Sequence, residues 1–246
     1  MRKNELLIFI FLIKAMFSFA QKKIISENQQ LLWTRYHQTL RFSEKITWAN
    51  EMDNRVFLSN FHQNQFIAHT HVHYSFTNLL ETSVGGSYSH INFANPATEN
   101  GFVSPELRLF QEIYLRQSLS DEWKIQHRFR SEQRFFRKNN GVELFDGYTY
   151  NGRARYQLAV AYVLAPKIEL KFNDELMVNF GKNIVYNTFD QNRTYVGVAY
   201  KIRPELTAEL GYLKIISQRP TGNEYVDRDN LRFTLFHTIH LSRKKT

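Results

Sequence analysis

No cysteine occurs among the 246 residues. Disulfides, thiolate zinc sites, iron–sulfur clusters, a cysteine nucleophile and a lipidated cysteine anchor are therefore excluded. Proline and glycine are sparse, at 5 and 10 residues, and no Ser/Gly/Pro-rich linker divides the chain. One domain is the simplest expectation. The sequence also lacks any internal apolar run of about 18 residues, the length at which a spanning helix is suspected. With a mean hydropathy of −0.46, a bundle of transmembrane helices is ruled out. A membrane β-barrel is not, because its strands are only half apolar. Helical i, i+3, i+4 periodicity nowhere lasts three turns, and no G-x-S-x-G elbow, H-E-x-x-H pair or Gly-rich phosphate loop is present.

The N-terminus has a basic start (Arg2, Lys3), an apolar run from Leu6 to Ile13, and Ser18-Phe19-Ala20 ahead of Gln21. This is the pattern of a secretory signal peptide over residues 1–20, leaving 21–246 as the mature domain. The alternative, a membrane anchor or core helix, is opposed by Lys14, which stops the run well short of the roughly 20 residues a span requires. Without the segment the chain keeps 29 basic and 22 acidic residues, a net charge of +7. An exported bacterial protein is expected.

From Leu31 onward the pattern has period two. Phe66, Ala68, Val72, Tyr74 and Phe76 alternate with Ile67, His69, His71, His73 and Ser75; Trp123, Ile125, His127 and Phe129 alternate with Lys124, Gln126, Arg128 and Arg130. That spacing belongs to strands with two chemically different faces. Eleven such segments are legible, at 31–42, 46–55, 66–76, 79–91, 107–115, 123–135, 154–162, 168–178, 192–202, 206–216 and 231–241. Short turns at 43–45, 77–78, 118–122, 165–166 and 203–205 alternate with long polar connections at 57–65, 92–105, 136–152, 181–191 and 217–230. This is the rhythm of an antiparallel up-and-down barrel with short periplasmic turns and longer outer loops. An even strand count calls for an ascending strand before 31–42, for which 21–29 is the sole candidate, so twelve strands are expected, within a range of ten to twelve. Phe42, Trp48, Tyr74, Phe76, Trp123, Tyr162 and Tyr200 flank the short turns, as an interfacial aromatic girdle would.

Alternation alone leaves open which face points outward, since a soluble lipocalin-like barrel would turn the apolar face in. The export signal, the aromatic ring and an apolar face on nearly every strand favour the membrane arrangement. The location expected is the outer membrane, with its lipid as surroundings and with periplasmic chaperones and the barrel assembly machinery as partners.

The segments Arg153-Ala154-Arg155-Tyr156-Gln157, Phe172-Asn173-Asp174-Glu175, Phe189-Asp190-Gln191-Asn192-Arg193 and Gly211-Tyr212 resemble the outer-membrane barrel family catalogued as domain of unknown function 2490. The resemblance implies a Gram-negative outer-membrane barrel; it implies no activity and supplies no site residues.

With the apolar face toward lipid, the interior would hold charges of both signs, among them Glu51, Asp53, Arg55, Glu106, Arg108, Glu112, Glu132, Glu175 and Arg193. Two readings follow: a filled interior of Arg–Glu ladders, or a narrow, arginine-biased passage or site for small anionic solutes. Candidates for solute contact are Arg128, Arg130, Arg134, Arg153 and Arg155. His69, His71 and His73 share a face, but same-face neighbours sit nearly 7 Å apart along a strand, so no metal site is expected. No cofactor is expected either. His73-Tyr74-Ser75 matches the His-x-Ser spacing of an outer-membrane phospholipase, the enzyme alternative, yet both side chains fall on the polar face. A non-enzyme is expected. Basic residues are spread along strands rather than clustered with exposed aromatics, which argues against nucleic-acid binding.

Overall fold

A computed structural model describes residues 24–92 and 102–241; the expected signal peptide lies outside them, as do 21–23. Period-two alternation becomes eleven strands: β1 (Ile24–Arg41), β2 (Ile46–Phe57), β3 (Gln63–Ser75), β4 (Leu80–Asn92), β5 (Val103–Ser118), β6 (Trp123–Asn139), β7 (Leu144–Ala165), β8 (Ile168–Phe180), β9 (Phe189–Arg203), β10 (Leu206–Gln218) and β11 (Glu224–His240). They close into one barrel in which each strand pairs with its sequence neighbours and β1 pairs with β11. All neighbours are antiparallel except that last pair, which is parallel from Ile24↔Glu224 to Arg41↔His240. The seam is a consequence of parity. When every connection reverses direction, an odd number of strands leaves the first and last pointing the same way.

Eleven falls within the expected range of ten to twelve. The preferred twelfth strand does not form within 24–29, because those residues continue β1 without a turn and pair with the start of β11. The outer connections are also shorter than composition implied. The 136–152 segment is largely paired strand, with Arg137 opposite Tyr148 and Asn139 opposite Leu144. Polar composition reads as loop, yet a hairpin rising beyond the apolar belt has no need of an apolar face.

Three of the short turns share one chemical device. The hydroxyls of Ser43, Thr77 and Ser120 each accept backbone N–H bonds two and three residues on: Lys45 and Ile46 at 3.2 and 3.0 Å, Leu79 and Leu80 at 3.1 and 3.0 Å, Glu122 and Trp123 at 3.2 and 3.1 Å. A Ser or Thr at this position supplies the acceptor that a tight turn denies to its backbone. Ser120 also donates to Glu122 at 2.7 Å, which holds that exposed carboxyl below its ordinary range.

The apolar face is outside. Val84, Leu109, Ile113, Phe129, Phe172, Val196, Leu210 and Leu231 are all exposed, while Asp53, Glu106, Glu112, Glu132 and Glu175 are buried within. A soluble barrel would have the reverse arrangement. Phe42, Trp48, Tyr74, Phe76, Trp123 and Tyr200 are exposed around the short turns, with Trp123 against Tyr162 and Tyr74 against Phe76 at centroid distances of 4.8 and 4.9 Å. Toward the other rim Tyr88, Tyr148, Tyr150 and Phe180 are exposed as well, a second ring not noticed in the sequence. Inside, missing Cβ atoms admit large rings. A Cβ on Gly85 would meet Phe110 Cζ at 2.8 Å, and one on Gly197 or Gly211 would fall on the Tyr195 hydroxyl.

Candidate functional site

Interior charge concentrates on β5 to β8, whose inward positions carry both Glu and Arg. Register places Glu112 opposite Arg130, and Arg130 opposite Arg155; Glu132 faces Arg153. The side chains then form a closed ring of alternating sign. Arg130 reaches Glu132 at 2.7 Å, Glu132 reaches Arg155 at 2.8 Å, and Arg155 reaches Glu175 at 2.7 Å. From Glu175 it continues to Arg128 at 2.5 Å, from Arg128 to Glu112 at 3.7 Å, and back to Arg130 at 3.2 Å. Three guanidiniums and three carboxylates therefore neutralise one another within the lumen, each carboxylate meeting at least two arginines. The Arg130 guanidinium also lies 3.6 Å from the centre of the Phe110 ring, which occupies the space left by Gly85.

Of the remaining two candidate arginines, Arg153 extends this ring and Arg134 joins a separate cluster. Arg153 bridges Glu132 at 2.5 Å and Asp190 at 2.7 Å. Arg134 bonds Glu106 at 2.6 Å, which Arg108 also holds at 2.5 Å. All five sequence-selected arginines are thus brought together on one wall, and all five are engaged by carboxylates. Burying these charges is tolerable because each is paired and hydrogen-bonded; an unpaired one would cost several kcal/mol, about 3–5 when a partner is removed.

On the adjoining wall Arg35 takes Asp53 at 2.5 Å and Glu51 at 3.0 Å. The three histidines do not converge. His71 lies 3.1 Å from Glu51 and His73 lies 2.8 Å from Glu81, whereas His69 stands edge-on to Phe110. Among the described residues no group of three or more His, Asp or Glu side chains is placed to hold a metal ion. Ser75 donates to Glu81 at 3.1 Å, so Ser75 and His73 both address that carboxylate from inside the barrel. Arg116 holds Glu81 as well, at 2.8 Å.

Several interior residues escaped the sequence reading. Asp190 was noticed only as part of a family motif, yet it anchors Arg153. Glu209 takes Lys171 at 2.8 Å and the Tyr195 hydroxyl at 2.8 Å. Trp33, 1% exposed, shares the inward parity of Arg35 and His37; that parity was the available signal, masked by the indole's apolar character.

A closed strand barrel, apolar outside and ion-paired inside, has the arrangement of the membrane β-barrels. Within that class the chain belongs to the family described as "Protein of unknown function (DUF2490)", which matches residues 30–226. Among solved structures, one described as the NanC porin in a rhombohedral crystal form matches at 10% identity and a TM-score of 0.49, covering 85% of this chain and 99% of that one. No curated protein matches.

Proposed function

We propose that the protein is a non-enzymatic outer-membrane β-barrel whose interior is closed by its own ion pairs, a rigid stem carrying outward hairpins rather than an open pore. The observation that carries this reading is the alternating ring of Arg128, Arg130 and Arg155 with Glu112, Glu132 and Glu175. These are the arginines a narrow anion passage would use, and carboxylates already occupy their forks. The apolar belt supports burial of the exterior in lipid, and the aromatic rings at both rims support a bilayer-spanning orientation. The phospholipase alternative gains no support from His73 and Ser75, since a lipid hydrolase needs its pair on the wall that meets lipid.

Fractionation and bilayer recording test the reading together. Recovery in the outer membrane with heat-modifiable gel mobility, and no steady conductance from the refolded chain, are expected. A freely soluble periplasmic protein would overturn the membrane assignment. Large stable conductance steps would overturn the closed interior.

A further inference from the structure

Opposite the neutralised wall, positive charge is left over. Register sets Arg232, Trp33 and Arg55 side by side across β11, β1 and β2, a rung with no carboxylate in it. Toward the mouth bearing loops 58–62, 181–188 and 219–223, a second rung runs Arg193, Ile215, Arg228 and Gln29 across β9, β10, β11 and β1. The Trp33 ring draws arginines from both rungs, and the ion-paired Arg35 also lies 5.4 Å from its centre. Arg55 lies 3.6 Å from its centre, Arg232 5.4 Å and Arg193 5.6 Å.

None of these four arginines has a carboxylate at hydrogen-bond distance among the described residues. The nearest approaches are Arg55 to Asp53, Arg193 to Glu175 and Arg232 to Glu209, each 3.9 Å. Those three carboxylates are committed at shorter range, Asp53 to Arg35, Glu175 to Arg128 and Arg155, and Glu209 to Lys171. Arg228 has only neutral partners, Gln29 at 2.7 Å and Ser217 at 3.3 Å. Within the cluster two buried donors lack a hydrogen-bond partner among the described residues, the indole Nε1 of Trp33 and Nε of Arg55; Arg128 and Arg130 also keep unpartnered donors, but each of those side chains bonds a carboxylate through another nitrogen. Buried donors and charges of this kind are normally satisfied. Four guanidiniums, three of them gathered by one indole and the fourth on the next rung, lack a counter-anion at hydrogen-bond distance among the described residues.

We propose that this cluster is a binding site for a small oxyanion bearing a carboxylate or phosphate group, held by Arg55, Arg193, Arg228 and Arg232 beside Trp33. Guanidinium forks match the two oxygens of either group and bind them more selectively than chloride. The site goes beyond the stem-like role and does not use the arginines of the neutralised ring. The membrane reading enters only in assigning the loop-side mouth as its outer entrance.

The test uses the whole mature chain, refolded, with Trp48→Phe and Trp123→Phe leaving Trp33 as the sole tryptophan of three. Its emission is titrated with inorganic phosphate and, separately, with citrate, at ionic strength held constant with chloride. A saturable response is expected, weakened at least tenfold by Arg55→Gln with Arg232→Gln and unchanged by Arg116→Gln, whose partner Glu81 lies on another wall. Response to phosphate alone assigns a phosphoryl ligand, to citrate alone a carboxylate, and to both the shared oxyanion chemistry. Calorimetric titration of the unsubstituted chain keeps the test open if the arginine variants fail to refold. Absence of saturable binding of either probe there, or a fluorescence response equal in the folded Arg55→Gln/Arg232→Gln variant, would overturn the site. Heat-modifiable mobility, which reads the barrel assignment, is scored separately and is independent of either outcome.

Discussion

Replacing Glu132 by Gln removes the most heavily engaged charge in the interior while nearly keeping its shape. Glu132 is fully buried and meets Arg153, Arg130 and Arg155 at 2.5, 2.7 and 2.8 Å. Arg153 and Arg155 hydrogen-bond Glu132 and Arg130 adds an ion pair; counted as separate bonds to charged groups, at about 1.5–3 kcal/mol each, the first two alone would total roughly 3–6 kcal/mol. The structure argues for less than that sum, because no arginine is stripped bare: Arg130 keeps Glu112, Arg155 keeps Glu175 and Arg153 keeps Asp190. The expected cost is therefore that of breaking one buried ionic partnership, about 3–5 kcal/mol. The amide adds a donor facing donors, which places Glu132→Gln toward the upper end. Urea unfolding of the refolded chain in lipid vesicles, followed by tryptophan emission and extrapolated linearly, reads this loss. Glu169→Gln is the control. Its partner Lys124 is 3.3 Å away with both side chains well exposed, so about 0–1 kcal/mol is expected. Adding Arg153→Gln to Glu132→Gln removes one of the cations left with a single carboxylate and should cost less than the two single losses added together. A Glu132→Gln loss within about 1 kcal/mol of the Glu169→Gln control would refute the neutralised ring.

Val196→Arg, on the exposed face of β9, should hinder insertion by roughly 2–4 kcal/mol if its height is near the bilayer midplane, while Val196→Leu should insert normally. Equal yields in vesicle folding assays would contradict the outward assignment of that face. Gly197→Ala places a Cβ on the Tyr195 hydroxyl, and overpacking of about 1–3 kcal/mol should appear as a lower urea midpoint; an unchanged midpoint would mean the tyrosine ring lies elsewhere. The refolded chain should show no calcium-dependent phospholipid hydrolysis, and activity abolished by Ser75→Ala would overturn the non-enzyme reading.

Much of the architecture was legible because a strand has only two faces. Parity along Trp123–Phe135 or Ile168–Val178 assigns every side chain to one face without knowledge of its neighbours. Short turns were equally plain, since Ser43, Thr77 and Ser120 carry the acceptor that closes them. Less was legible at the strand ends. Once a hairpin such as 136–152 leaves the apolar belt, its composition no longer distinguishes strand from loop.

Sequence by itself determined the two faces of the clearly alternating strands, the position of the short turns and the shared face of the five candidate arginines. Tertiary structure alone decided how many strands close the ring, and with them the parallel β1–β11 seam, because closure joins residues at opposite ends of the chain. It also decided which charge meets which. Arg128 finds Glu175 two strands away, Arg153 finds Asp190 on β9, and Arg193 comes to rest near Trp33 on β1. Such partners depend on strand stagger and on the curvature that turns all inward side chains toward one axis. Parity names a face, but only height and distance within the closed barrel distinguish a neutralised arginine from one still lacking an anion.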